Sequence, residues 1–406
     1  MTTAPTRVLF AWLEGRPVGR FTLTRNHGVV FAYDDQAGPT PVSLSLPRDG
    51  GWSRNAPHRF LDNLLPDDER TRARIAHDTH AASATVVDLL AQIGGDVAGG
   101  LVLTGSDQPP TPADHPMLLL TDDDIAYRVA TLHVDPDRWM DADLAPGRFS
   151  LAGTQAKFAM ARIGRHWYQP GPAVPSTHIV KPGSDKFTDV EVVEDATTRL
   201  ARLCGVPAPR TAILTVLGEH ALIVERFDRD TTTTPVTRVH AEDFAQAAGM
   251  PGGLKYTLTA AQAVRMLHRH DPTDTLGYQF IHRLAFAVST GNCDAHAKNY
   301  SLLIRPTGVT LAPAYDQLPT LCWPGLDTTL AMRIGDATTS AAVTPHHWAT
   351  LARDCGLDAD HVTHVARTMS TQALTHAEQA VRGLPARVSE RMMTVITHAN
   401  RGMAHV

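Results

Sequence analysis

The stretch GNCDAHAKNYSLLI, residues 291–304, carries four polar side chains within six positions, followed by an apolar run typical of a strand. They are Asp294, His296, Lys298 and Asn299. Asp294, four intervening residues and Asn299 reproduce the D-x-x-x-x-N step of a kinase catalytic loop, in which the aspartate accepts a hydroxyl proton and the asparagine holds a metal ion. The spacing indicates phosphoryl transfer, but a bare step of this kind is common by chance, so the surrounding elements have to decide.

A buried helix is predicted before these residues and a β-hairpin after them. The apolar helix face consists of Phe280, Ile281, Leu284, Ala285 and Val288, and Gly291 with Asn292 would end the helix. After Asn299, YSLLI predicts a strand, RPTG a tight turn and VTLAPAYD the returning strand. In this hairpin the residue numbers of two cross-strand partners add up to roughly 613, so Asp316 comes to within about two residues of the position opposite Asn299. We therefore expect Asp294, Asn299 and Asp316 to converge at one end of the hairpin.

Two carboxylates and an amide oxygen gathered in this way would form a site of hard oxygen ligands. Such a site suits Mg²⁺, which usually takes a few protein oxygens together with substrate phosphates. Asp316 stands where the second metal-binding aspartate of a kinase belongs. The three residues thus predict a magnesium-dependent phosphoryl transfer.

Other parts of a kinase site are present upstream in the expected order. A kinase needs a loop over the nucleotide phosphates, a cation on them, an acid that positions the cation, and a hinge for adenine. The chain supplies the loop PGRFSLAGTQAKFAM, Lys181 at a strand end, helical Glu194 and the strand-to-loop junction VERFD. Each of these features also has a purely structural interpretation: a solvated strand end for Lys181, a surface helix charge for Glu194, and an edge strand for VERFD. Their combined order favours the kinase interpretation.

The composition is that of an ordinary globular protein. The chain has 406 residues, of which 43% are hydrophobic and 19% charged, and no stretch reaches the roughly 18 apolar residues of a membrane helix. With no signal-peptide pattern at the start, we expect a cytoplasmic protein without a membrane partner. The spacing of the four cysteines is not that of metal ligands. A net charge of −5 argues against binding of nucleic acid over a broad surface by the chain itself.

The rare lysines mark a second set of candidates. Only five of the 37 basic residues are lysines, and all of them lie between positions 157 and 298. A compact ammonium suits a point-charge contact with phosphate. Chance among so few residues stays open as the alternative.

Periodicity along the chain predicts an α+β fold. Residues 7–46 alternate like short strands, helical patterns follow, and the stretch SDQPPTPADHP at 106–116 is typical of a linker. Strands dominate from 145 to about 227, and helices dominate after 240. We expect three parts: an N-terminal subdomain at 1–110, a strand-rich lobe with nucleotide loop and hinge at 117–237, and a helical lobe with the catalytic loop at 238–406.

These motifs together resemble the HipA-type serine/threonine kinases, the toxins of bacterial toxin–antitoxin modules, over nearly the whole chain. The matching stretches are RFLDNLLPDDERTR, IGGDVAGGLVL, FSLAGTQAKFAM, HIVKPG, LARLCGVPAPRTAI, LIVERFDRD, VHAEDFAQAAGM, STGNCDAHAKNYSLL and LAPAYDQLPT. The resemblance implies a protein-kinase-like two-lobed fold with an additional N-terminal α+β subdomain. Two departures from the generic kinase template are AYDQL in place of D-F-G and a loop with only Gly147 and Gly153.

The resemblance also assigns roles to individual residues. It implies that Asp294 is the general base and that Asn299 and Asp316 hold Mg²⁺. Lys181 would contact the nucleotide phosphates, and Glu225, Arg226 and Phe227 would form the adenine hinge. His296 and Lys298 would face the nucleotide together with the loop residues Ala152, Gly153 and Lys157. Ser150 matches a serine that is autophosphorylated in the family, which would eject the loop and switch the enzyme off.

The cofactors and partners implied are ATP, Mg²⁺, a HipB-like DNA-binding antitoxin that supplies most DNA contacts, and a protein substrate such as an aminoacyl-tRNA synthetase. Three other functions are weighed beside the toxin kinase. A small-molecule kinase of the aminoglycoside or lipid type shares the Asp, Asn and Asp arrangement, and a degenerate kinase would act as a co-repressor scaffold without catalysis. A metal hydrolase built on Asp294 and His296 is weaker, because the 21 histidines are dispersed.

Overall fold

The computed structural model describes residues 7–26, 28–111, 117–140, 149–153 and 155–404. The chain divides into two compact units. The first contains Met1–Pro182, Leu214–Gly253 and Leu303–Thr307, and the second contains Gly183–Ile213, Leu254–Leu302 and Gly308–Val406. The boundaries expected from the sequence, at 110, 117 and 237, stay a prediction. Gly147 of the nucleotide loop lies outside the described residues.

A four-stranded antiparallel sheet opens the first unit. Its strands are β1 (Val8–Leu13), β2 (Arg16–Leu23), β3 (Val29–Tyr33) and β4 (Val102–Thr104), in the order β3-β2-β1-β4. Three helices follow β3 in the chain: α1 (Ala56–Asn63), α2 (Glu69–Asp78) and α3 (Val86–Ile93). Alternating apolar side chains of the strands, such as Leu9 and Phe21, are fully buried beneath these helices with Phe60 and Leu90. The alternation predicted from the sequence is confirmed for these three consecutive strands.

A six-stranded sheet forms the second layer of this unit. In chain order its strands are β5 (Leu119–Leu120), β6 (Phe158–Ile163), β7 (His166–Tyr168), β8 (His178–Pro182), β9 (Thr211–Val216) and β10 (Glu219–Glu225), with α4 (Asp122–Val134) after β5. The spatial order is β5-β7-β6-β8-β10-β9. Helix α4 packs on β8 and β10. Since β10 lies between β8 and β9, the VERFD junction leaves an interior strand, and the edge-strand alternative is wrong.

Helices make up most of the second unit. They are α5 (Val190–Leu203), α7 (Ala260–His268), α8 (Thr275–Thr290), α9 (Pro345–Cys355), α10 (Ala359–Ala380), α11 (Ala386–Ala399) and α12 (Arg401–Ala404), while the short α6 (Phe244–Ala247) belongs to the first unit. The 22-residue α10 packs against α5, α8, α9 and α11. The predicted face of α8 is buried, as are Val193 and Leu200 of α5. Helical periodicity therefore located α8 correctly.

Short strands complete the structure. They are β11 (Arg229–Asp230), β12 (Thr237–Arg238), β13 (Ala241–Asp243), β14 (Ser301–Arg305) and β15 (Gly308–Leu311). Strands β11 and β12 pair around the threonine-rich segment, and the other three form a sheet in the order β13-β14-β15. No helix among the described residues is long and apolar enough to span a bilayer.

One predicted strand is wrong. The segment PVSLSLP, residues 41–47, contains only an isolated bridge between Ser43 and Leu46. Its polar groups bind side chains instead, because the Leu44 N–H donates to a carboxylate oxygen of Glu242 at 2.8 Å and the Leu46 carbonyl accepts from the Tyr33 hydroxyl. With these groups occupied and a proline at each end, the segment cannot join a ladder.

Candidate active site

The candidate catalytic loop begins where α8 ends. Gly291 terminates the helix in the left-handed region at φ 72, where glycine carries no steric penalty. A Cβ at this position would lie 2.9 Å from Cγ1 of Val395. The chain then turns, and the side-chain oxygen of Asn292 accepts a hydrogen bond from the Asp294 N–H at 3.1 Å. The helix end therefore fixes the place from which Asp294 projects.

A short 3-10 turn, Ala297–Asn299, orients the rest of the loop. The His296 N–H donates to Oδ1 of Asn299 at 3.2 Å, and the Lys298 N–H donates to Nδ1 of His296 at 3.3 Å. His296 and Lys298 are only 6% and 8% exposed. The imidazole of His296 thus acts as a cap for its own loop, which weighs against a metal hydrolase centred on Asp294 and His296.

The hairpin β14–β15 brings Asp316 to Asn299, as predicted from its register. The Ala312 N–H donates to the Ser301 carbonyl at 2.8 Å, and Nδ2 of Asn299 donates to Oδ2 of Asp316 at 2.8 Å. The Tyr315 hydroxyl donates to the Lys298 carbonyl at 2.7 Å. Asp316 itself has a φ of 53, an uncommon backbone conformation that tends to occur at functional sites.

Asp294 lies in an electrostatic environment that opposes its ionisation. Asp294 is exposed as a residue, but partial desolvation of its carboxyl group raises its pKa above the ordinary value, and the negative charge of Asp316 raises it further. The Tyr256 hydroxyl donates to Oδ1 of Asp294 at 2.7 Å, and this bond lowers the pKa, as does the charge of Lys255. A carboxylate with a raised pKa beside a second carboxylate is typical of a general base near a cation site.

The donor set fits a magnesium ion. Asp316 supplies a carboxylate, whereas Asn299 directs its Nδ2 to Asp316 and its Oδ1 to the His296 N–H, so the amide would have to turn to offer Mg²⁺ the hard oxygen ligand that the ion prefers. The repulsion between Asp294 and Asp316 would be relieved by a divalent cation near them. Within the described parts of the chain, no group of three or more His, Cys, Asp or Glu side chains is arranged to hold a metal.

The predicted residues of the nucleotide loop lie in the first unit. Ser150 is 2% exposed, and its hydroxyl donates to the Leu64 carbonyl at 2.7 Å while its N–H donates to the Asp96 carbonyl at 2.9 Å. Gly153 adopts a φ of 106, which favours glycine. Nζ of Lys157 donates to the carbonyl oxygens of Ala152 and Gln155 at 3.2 and 2.7 Å and lies 4.5 Å from the Trp139 ring centroid. The loop is therefore closed upon itself, with its serine buried.

The predicted cation and hinge also belong to regular elements of the first unit. Lys181 pairs with Leu222 across β8 and β10 and is 7% exposed, so the solvated strand end is wrong. Glu225 ends β10 and is exposed, while Phe227 is half-buried. The Arg226 N–H donates to the Thr177 carbonyl at 2.9 Å. In the second unit, Glu194 is 2% exposed, which excludes the alternative of a surface helix charge.

The side chain of Arg226 joins a buried charge network that sequence reasoning missed. Its guanidinium donates to Asp228 at 2.6 Å and lies 3.6 Å from Asp96. Arg229 and Arg238 approach the same Asp96 carboxylate at 2.9 and 3.1 Å. Any contact of Arg226 with a nucleotide is therefore left to its backbone carbonyl. The only indication of this network in the sequence analysis was the IGGDVAGG motif, which contains Asp96.

Two segments of the chain match models of known protein families. The family model described as the HipA-like C-terminal domain matches residues 149–377, and that of the HipA N-terminal domain matches residues 9–104. A Sinorhizobium fredii protein named as a kinase is 35% identical over 365 residues, which cover 86% of each chain. The serine/threonine-protein kinase toxin HipA of Shewanella oneidensis is 27% identical over 362 residues, covering 83% of this chain and 80% of that one.

A solved structure confirms the fold. The Shewanella oneidensis MR-1 HipA chain, solved with HipB and operator DNA, superposes with a TM-score of 0.81 at 23% identity and 97% coverage of both chains. The α+β fold class predicted from the sequence is thereby confirmed.

Proposed function

The chain belongs to the HipA family, and from this premise we propose that it is an ATP- and Mg²⁺-dependent serine/threonine protein kinase that acts as the toxin of a toxin–antitoxin module. One observation carries the proposal: Asn299 and Asp316 are hydrogen-bonded across the base of the hairpin, next to a carboxylate, Asp294, whose pKa Asp316 raises. This is the residue set that phosphoryl transfer requires.

Each acidic residue has its own task in this proposal. Asp294 accepts the proton of the substrate hydroxyl, for which its raised pKa is suited because a base works best when its pKa approaches the working pH. Asn299 and Asp316 hold the magnesium ion. When bound, the ion supplies charge neutralisation at the nucleotide phosphates.

The nucleotide-binding residues are proposed from the family pattern. Lys181, buried in an interior strand, supplies a cation for the phosphates, and Glu225 to Phe227 form the hinge for adenine. The closed loop contributes Ala152, Gly153 and Lys157. His296 and Lys298 complete the nucleotide side of the catalytic loop.

Ser150 is proposed as the site of an autophosphorylation that switches the kinase off. Its hydroxyl is buried against the Leu64 carbonyl, so the loop must leave this position before the hydroxyl can react. A phosphate group would place roughly two negative charges next to that carbonyl oxygen. Phosphorylated Ser150 therefore cannot return, and the loop stays displaced.

The proposed partners are a HipB-like antitoxin and a cellular protein substrate. The Shewanella relative was solved with HipB and operator DNA, which supports an antitoxin of the same kind here. A net charge of −5 fits DNA binding mainly through that antitoxin. The substrate is a protein whose modification arrests growth, an aminoacyl-tRNA synthetase being the class implied by the family.

Incubation of the purified protein with Mg²⁺ and [γ-³²P]ATP in bacterial extract tests the proposal. We expect one or more labelled extract proteins with the wild type and none with Asp294→Asn, which is isosteric and should fold normally. Transfer to small alcohols or sugars without protein labelling would favour the small-molecule kinase. Absence of any Mg²⁺-dependent transfer by the folded wild type would favour the scaffold.

A further inference from the structure

Tyr256 touches Asp294, the proposed base. Its hydroxyl donates to Oδ1 of Asp294 at 2.7 Å across 38 positions of sequence. The residue is nevertheless 52% exposed, so burial of its ring does not explain its position. A hydrogen bond to a carboxylate is among the stronger kinds, and it restricts the rotation of the acceptor.

Contacts other than this hydrogen bond hold Tyr256 in place. Its ring meets the His296 ring edge-on, with centroids 5.0 Å apart and an interplanar angle of 83°. The carbonyl of the preceding residue, Lys255, accepts a hydrogen bond from the Ala297 N–H at 3.2 Å. The tyrosine is thus attached to the same loop that carries Asp294, and its ring should remain there without the hydroxyl.

The charges around Asp294 show what the hydroxyl contributes. Burial and Asp316 raise the pKa of the carboxyl group, whereas Tyr256 and Lys255 lower it. Nζ of Lys255 also lies 5.4 Å from the Tyr256 ring centroid. Lys255 and Tyr256 therefore favour the ionised form of Asp294, which is the form that accepts a proton.

We propose that Tyr256 is a positioning residue: its hydroxyl holds Oδ1 of Asp294 so that Oδ2 is directed to the substrate hydroxyl. The inference rests on the proposed function, since it requires Asp294 to be the base. In the reaction, the hydroxyl proton passes to Oδ2 while the hydroxyl oxygen bonds to the γ-phosphorus. The bond from that phosphorus to the β–γ bridging oxygen breaks, and ADP leaves. Tyr256 keeps its own proton throughout.

Tyr256→Phe tests the inference, because it removes one oxygen and retains the ring contact. Tyr278→Phe is the matched control: the Tyr278 hydroxyl accepts a hydrogen bond from the Asp358 N–H at 3.1 Å, and its ring meets His361 edge-on at 4.7 Å. Tyr278 lies near the beginning of α8, at the end of the helix opposite the catalytic loop.

The assay measures transfer from Mg²⁺·[γ-³²P]ATP to the purified extract protein that the wild type labels most strongly. Rates are divided by the concentration of nucleotide-binding sites, titrated with Mg²⁺·ADP by calorimetry. We expect Tyr256→Phe to lower kcat per site by roughly tenfold, the usual effect of a hydrogen bond to a charged group, with KM for ATP unchanged. Tyr278→Phe should match the wild type.

Three outcomes would overturn the inference. An unchanged kcat per site would show that the hydroxyl is dispensable, and a loss only in the number of binding sites would show a purely structural role. A higher kcat would show that Tyr256 competes with the substrate hydroxyl. Absence of Mg²⁺-dependent transfer by the folded wild type, by contrast, would refute the proposed function itself, so the two failures are distinguishable.

Discussion

Asp96→Asn should destabilise the protein severely. The Asp96 carboxylate is fully buried and contacts Arg229 at 2.9 Å, Arg238 at 3.1 Å and Arg226 at 3.6 Å. The variant would leave three guanidinium groups with only the Asp228 carboxylate among them. An amide Nδ2 would also point a donor at groups that are donors themselves.

The size of the effect follows from this arrangement. Removing one partner of a buried ion pair costs about 3–5 kcal/mol, because the remaining charge stays desolvated. A loss of that size lowers Tm by on the order of 10 °C. The arginines hold the pKa of Asp96 below its usual range, so its stabilising contribution is present above about pH 4 and is lost as the pH falls below that value.

Calorimetry and urea unfolding at pH 7 measure the difference, with Asp336→Asn as the control. That substitution makes the same chemical change at an aspartate that is 96% exposed, with Oδ1 3.1 Å from Nε2 of His347, and it should hardly alter Tm. A loss below about 1 kcal/mol in Asp96→Asn, comparable to an exposed pair, would refute the idea that this network holds the first unit together.

Four further changes are expected. Burial raises the pKa of Glu242 to about 8, so Glu242→Gln should increase the free energy of unfolding, with a gain that grows from about pH 4.5 to pH 8 and vanishes at lower pH; urea titrations across this range measure it. Asp316→Ala should abolish the Mg²⁺-dependent part of ATP affinity in calorimetry, and Asp316→Asn, which tolerates a φ of 53, should do so with less loss of stability. Ser150→Asp should expose the nucleotide loop to limited proteolysis because a carboxylate would face the Leu64 carbonyl, whereas Ser150→Ala should only remove the phosphorylation seen by mass spectrometry. The acid limb of the pH–rate profile should lie above that of an ordinary aspartate and move higher in Lys255→Met, since the Lys255 charge lowers the pKa of Asp294; an unmoved limb would contradict Asp294 as the titrating base.

The parts of the site that follow one another in the chain were predictable. Helical periodicity located α8, a glycine marked its end, and the RPTG turn set the register that joins Asn299 to Asp316. Each signal depends on backbone geometry over a few residues, which sequence patterns reflect directly. The residue types alone then indicated a magnesium-dependent transfer.

Contacts between distant segments were not predictable in the same way. Tyr256 and Asp294 are 38 positions apart, and Asp96 meets Arg229 across 133 positions. No period or turn motif specifies which segments will pack together. The wrong prediction of a strand at 41–47 has the same cause. The Leu44 N–H, which a strand would use for pairing, donates instead to the side chain of Glu242, which is distant in sequence.

The attachment of the nucleotide loop limits how such a protein can be divided. Leu64 and Asp96, which bind the Ser150 hydroxyl and N–H, both belong to the segment that matches the HipA N-terminal domain, residues 9–104. A shortened chain starting near residue 149 would lack both acceptors and leave Arg226 and Arg229 without Asp96. The segment at 149–377 should therefore depend on the segment at 9–104, and a chain without the latter should lose both its stability and the closed form of the loop.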